Sequence, residues 1–183
     1  MSKKPFYSVT IDVDKTRAIN SAMKRLGKMA VYIGIPADGE GDERKKGPIR
    51  NSDLGYIHEF GSETAGIPPR PFLKPGVESV KDELKKQLEA AAKAALKEND
   101  EGMLKHLKLA ARKGERGVRN YMRNAPFEPI KLETAANRYR DRGNKGPSKG
   151  ERAAIASGST NGLKPLINTG QLRDAVTGIV EEE

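Results

Sequence analysis

The sequence predicts an α+β fold: a small, mostly antiparallel sheet packed by a long helix and a second helix, with long flexible loops between them. Three observations carry this. Residues 6–13 and 29–35 are short apolar, β-branched runs of strand length. Residues 75–98 and 101–124 repeat apolar side chains at helical spacing. Residues 36–53 and 137–160 are rich in charge, Gly and Pro, and read as a flexible charged loop and a flexible basic arm. At 183 residues the chain is expected to form a single α+β domain over 1–183.

Taken in order, residues 6–13 (FYSVTIDV) place Tyr7, Val9, Ile11 and Val13 on one face of a half-buried strand. Asp14 suits an N-cap, and Ile19, Ala22, Met23 and Leu26 share one face of a helix that Gly27 should end. Residues 29–35 (MAVYIGI) form a second strand closed by Pro36. After the charged loop, Leu54 to Phe60 suit a short helical turn stopped by Gly61.

Residues 56–76 (YIHEFGSETAGIPPRPFLKPG) are the stiffest stretch. Pro68, Pro69, Pro71 and Pro75 each hold φ near −65° and push the preceding residue toward extended geometry. No helix is expected here until Pro75, which suits a first helical turn. Phe72 has two roles open to it: a core plug, or an anchor offered to a neighbour. Arg70 carries a five-donor fork suited to carboxylates, exposed carbonyls or a helix end.

The first long helix (75–98) should turn Val77, Val80, Leu84, Leu88, Ala91, Ala92 and Ala95 inward. The second (101–124) should bury Leu104, Leu107, Ala111, Val118, Tyr121 and Met122, with a kink or end at Gly114 or Gly117. Residues 127–162 are the least foldable third. Near the end, Leu166 and Ile167 form an apolar plug and Thr169 suits the N-cap of a short turn over 170–173. A strand at 175–180 should then join the sheet.

Net charge is +9 and mean hydropathy is −0.71. Much of the surplus lies in residues 101–152, with 14 Lys/Arg against 6 Asp/Glu. Arg112, Lys113, Arg116, Arg119, Arg123, Arg138, Arg140 and Arg142 are the candidates to meet DNA, RNA or an acidic protein surface; a solvated helix face is the plainer account. Without Cys, no disulfide or thiolate metal site forms. No apolar run reaches membrane-span length and the start lacks the apolar core of a signal peptide, so a soluble protein made in the cytoplasm is expected.

Catalytic signatures are missing. Neither His58 nor His106 has a second His at ligand spacing, and no phosphate-binding loop, nucleophile elbow or zinc-protease motif occurs. The adjacent His58 and Glu59 could act as acid and base only if their side chains converged, which neighbours seldom do. No enzyme activity, cofactor or metal is expected.

Two segments together resemble a known family. YIHEFG (56–61) followed by IPPRPFL (67–73), with KPLINTGQLR (164–173) near the end, is similar to the signatures of tailed-bacteriophage morphogenesis proteins. These are neck or tail-completion components, also called virion-morphogenesis or minor tail proteins. The resemblance is sharp over about thirty residues; the 36–53 loop and 137–160 arm depart from the pattern. It implies a structural virion protein of the neck or tail, made in the bacterial host cytoplasm, that acts in tail completion and head–tail joining as part of a ring. Implied partners are other copies of the chain, connector or head-completion proteins, tail-terminator or tail-tube proteins, and packaged DNA without sequence specificity; no membrane is implied. Glu59, Phe60, Gly61, Arg70, Pro71, Phe72, Pro165, Leu166, Thr169 and Gly170 carry over as a structural and interface set. The alternative expectation is a sequence-independent nucleic-acid-binding protein using residues 101–152.

Overall fold

The computed structural model describes residues 15–37, 42–44, 49–141, 149–160 and 163–183. Its elements run α1 (Thr16–Leu26), β1 (Met29–Gly34), α2 (Asn51–Phe60), α3 (Leu73–Glu78), α4 (Lys81–Leu96), α5 (Asp100–Asn124), α6 (Leu132–Asp141), α7 (Lys149–Ser157), α8 (Gln171–Asp174) and β2 (Thr177–Glu182). The class is α+β: β1 and β2 pair antiparallel and α5 packs across them. The strand expected at 6–13 and the Asp14 cap lie outside the described residues.

The register sets Val31 opposite Val180 and Tyr32 opposite Ile179. Val31, Val180 and Met29 pack on the cluster around Ala22, whereas Tyr32 and Ile179 face outward and are exposed. A two-stranded ribbon is marginal alone, so the packing of α5 on both strands supplies its support. β2 starts at Thr177, two residues later than expected, because Ala175 is the C-cap of α8.

In α1 only Ala22 of the expected face is fully buried; Ile19 and Met23 are exposed. The reason is that α1 packs chiefly on α4, which covers one row of side chains. Arg25 secures the contact through Asp100, at 3.0 Å, and the carbonyl of Ala95.

Helix α2 begins at Asn51, three residues before the expected turn. Asp42 sets this start: its carbonyl accepts from the Asn51 N–H and its carboxylate from the Ser52 N–H, both at 2.8 Å. Asp42 is buried, so the 36–53 stretch, read as wholly flexible, contains a fixed anchor for a helix start.

The single helix expected over 75–98 is two. Ser79 Oγ bonds the carbonyl of Gly76 at 2.6 Å, and Val80, with φ −119°, separates α3 from α4. Leu88, expected inward, is exposed, because α4 meets α1 and α5 through its alanine row, with Ala91 and Ala95 buried.

Helix α5 runs unbroken through Gly114 and Gly117, so neither glycine ends it. These glycines make room for neighbours. A Cβ on Gly117 would lie 2.6 Å from Val80 Cγ2 and 2.8 Å from the Gly76 carbonyl; one on Gly76 would lie 2.7 Å from Val118 Cα. Helices α3 and α5 therefore meet almost backbone to backbone.

Two helices stand in the stretch 127–162 read as least foldable, and the basic arm expected at 137–160 takes in the end of α6 and all of α7. Alanine-bearing stretches in 132–141 and 149–157 form α6 and α7, which pack on each other, with Ile130 and Ala135 buried nearby. Gly, Pro and charge weighed more in the sequence than this local helix propensity. The main core joins Phe72, Val118, Met122, Leu166, Leu172 and Val176; a second joins Ala22, Ala91, Ala95, Met103 and Leu107.

Candidate functional site

The proline-rich segment is held by its own backbone first. Gly61 follows α2 with φ +80°, and its N–H bonds the carbonyl of Ile57 at 2.8 Å. A side chain is disfavoured at that φ, and a Cβ would also press within 3.0 Å of Pro69. Ser62 and Ile67 then exchange two backbone hydrogen bonds of 2.9 Å, closing a small hairpin. The Arg70 N–H returns to the carbonyl of His58 at 2.6 Å. Prolines limit the conformations open to the free chain, so this fold-back costs less entropy than it would in a flexible segment.

Glu59 completes the segment. Its carboxylate accepts from the N–H groups of Phe72 at 2.7 Å, Leu73 at 2.8 Å and Lys74 at 3.2 Å. These are donors left open at the start of α3, so Glu59 of α2 caps a helix thirteen residues away. Pro75 sits in the first turn of α3, as expected, but the helix starts at Leu73, two residues earlier than expected, where Glu59 takes up its open N–H groups.

Phe72 is a core residue, only 1% exposed, and packs in one cluster with Leu166 and Leu172. The two signature segments therefore meet in the same core. Arg70 reaches the carbonyl of Glu128 at 3.4 Å, while Pro71 is exposed. At the second segment, Gly170 rather than Thr169 is the N-cap of α8, with φ +87°; Thr169 Oγ1 accepts from the Gln171 N–H at a long 3.4 Å. The carbonyl of Pro165 accepts from Arg138, which also bonds the carbonyl of Lys164 at 3.0 Å.

Phe60 is the exposed aromatic residue of this set. It and Tyr56 are each 67% exposed, and their rings meet at a 47° tilt with centroids 4.8 Å apart. They border a largely apolar groove of about 580 Å³ that also takes in Ile33, Ile35, Leu73 and Val77. Tyr56, with its i, i+4 spacing to Phe60, is the residue that sequence reasoning missed.

His58 and Glu59 diverge. His58 lines a separate, more polar cavity of about 250 Å³ with Arg44, Asn137, Arg138 and Gln171. Its Nδ1 is buried and makes no hydrogen bond among the described residues. Burial, followed by the nearby Arg70, Arg138 and Arg44 charges, lowers its pKa to about 4, so the ring is neutral at pH 7. Among the described residues, no three His, Asp or Glu side chains are grouped to hold a metal ion. No helix there is long and apolar enough to cross a membrane.

The basic candidates divide. Lys113 pairs with Glu83. Arg119 bonds the carbonyls of Asp174 and Val176 and pairs with Glu115 at 2.8 Å. Arg138 is committed to the 164–165 carbonyls. Arg123 donates to Asn120 at 2.7 Å, and Arg112 and Arg116 are exposed on α5. The Arg140 side chain and Arg142 lie outside the described residues. The chain matches no protein-family model, no curated protein and no solved structure.

Proposed function

We propose that this protein is a structural component of a tailed-phage virion, acting at the neck or tail in tail completion and head–tail joining, as one of a ring of copies. The observation that carries the reading is the pairing of a locked segment with an exposed one. Glu59, Gly61, Arg70 and Phe72 are engaged in holding the proline-rich segment in place. Next to them, Tyr56 and Phe60 border an apolar groove and remain open to solvent. Exposed aromatic rings on a rigid support are suited to anchoring a neighbouring subunit, since little side-chain or backbone freedom is lost on docking. The resemblance of residues 56–61, 67–73 and 164–173 to neck and tail-completion proteins names the setting. Neighbouring copies, a connector or head-completion protein, and a tail-terminator or tube protein are the proposed partners.

The test is association. Purified protein is sized alone and after mixing with connectors or tail tubes, and then located on particles by electron microscopy. The reading expects the wild type to join one of these assemblies and the Tyr56→Ala/Phe60→Ala variant to fold but fail to join. Wild-type protein that binds neither assembly at any salt concentration would count decisively against it.

A further inference from the structure

We propose that the outward face of α5 binds the phosphate backbone of double-stranded DNA. Lys105, Lys108, Arg112, Arg116 and Arg123 are all exposed. At about 100° per residue they fall within an arc of roughly 80°, opposite the buried row of Leu107, Gly114 and Val118. From Lys105 to Arg123 the row is about 27 Å long, at about 1.5 Å per residue.

Intramolecular neutralisation is scarce along this row. Lys105, Lys108, Arg112 and Arg116 make no ion pair or hydrogen bond among the described residues. Of the acids on α5, Asp100 is engaged by Arg25 and Glu115 by Arg119, leaving only Glu101 at the N-terminal end. Like charges at this spacing repel, so the face gains most from an anionic partner.

The chemistry of the row selects among anions. None of the exposed large apolar side chains lies on α5. A protein interface ordinarily needs such residues at its centre, and single-stranded nucleic acid needs aromatic rings for its bases to stack on. A row of cations without exposed large apolar or aromatic side chains offers neither. It does match a duplex, which presents a phosphate charge for every ~1.7 Å of axis, so that about 27 Å covers roughly eight base-pair steps. Contacts of this kind are blind to base sequence. The inference stands apart from the neck reading, because it needs only α5 and its charges.

The experiment is a salt titration of the full chain with a fluorescent 30-base-pair duplex, read by anisotropy. With four to five cations engaged, log K should fall with log salt at a slope of about −4. The Arg112→Ala/Arg116→Ala variant should reduce the steepness by about 2. Arg112→Lys/Arg116→Lys should keep the slope, as should Lys85→Ala/Lys86→Ala on α4. Two unrelated duplex sequences should bind alike. Circular dichroism melts should not change, since these side chains are exposed and carry no structural bond. Absence of binding at 50 mM salt, or an unaltered slope in the alanine variant, overturns the proposal. So does tighter binding to a single strand of equal length or to polyglutamate.

Discussion

The Glu59 carboxylate accepts the Phe72 N–H at 2.7 Å, joining the end of α2 to the start of α3 across a hairpin and three prolines. The bond orients the segment so that the Phe72 ring enters the core while its backbone starts a helix. Glu59→Ala leaves three N–H groups without this acceptor and should cost about 2 kcal/mol, within the range for a lost cap. Glu59→Gln should retain part of that, since its amide oxygen still accepts. Urea denaturation of the three proteins measures the difference; an Ala variant as stable as wild type would remove Glu59 from the account of this fold.

Phe72 and Phe60 should respond in opposite ways. Phe72 is buried with Leu166 and Leu172, so Phe72→Ala should lose about 3–5 kcal/mol of stability. Phe60 is exposed, so Phe60→Ala should shift stability by about 0.5 kcal/mol or less. A melting curve and an assembly assay on each variant separate a core role from an interface role.

The contact of α3 with α5 predicts a cost for a methyl group. Gly76→Ala would gain about 1 kcal/mol from helix propensity alone. A Cβ there, however, meets the backbone of Val118 at 2.7 Å, and backbone yields less readily than a side-chain tip. The net effect should be a loss of about 1–3 kcal/mol, seen as a lower denaturation midpoint with an unchanged slope.

His58 gives the protein an acid sensitivity that precedes carboxylate titration. Its folded pKa of about 4 lies below the ordinary 6.5, so the unfolded chain takes up this proton first. Stability is unaffected by His58 above pH 6.5, falls as pH drops from 6.5 to 4, and levels off below. The full penalty is about 3 kcal/mol. His58→Gln should flatten stability across that window; a wild-type profile flat from pH 6.5 to 4.5 would refute the buried neutral ring.

Local chemistry was legible before the fold was. The positions of α1, β1, α2, α5 and β2 follow from periodicity and from glycine stops, which depend on residues a few places apart. The stiffness of 67–75 follows from proline geometry for the same reason. Helices α6 and α7 were missed because charge, Gly and Pro obscured short alanine-bearing runs.

The tertiary structure decided the matters that depend on distant partners. Gly114 and Gly117 look alike as helix breakers or as packing sites until Ile33, Val80 and Gly76 are placed against them. Arg112 and Arg119 are equivalent letters until Asp174 and Val176 take up one guanidinium and leave the other on the surface. The sequence determined the helical, extended or stiff character of most segments, α6, α7 and the α3–α4 break excepted, because those preferences are local. Only the folded chain decided which side chains hold it together and which remain available, because burial and pairing arise between residues far apart in sequence.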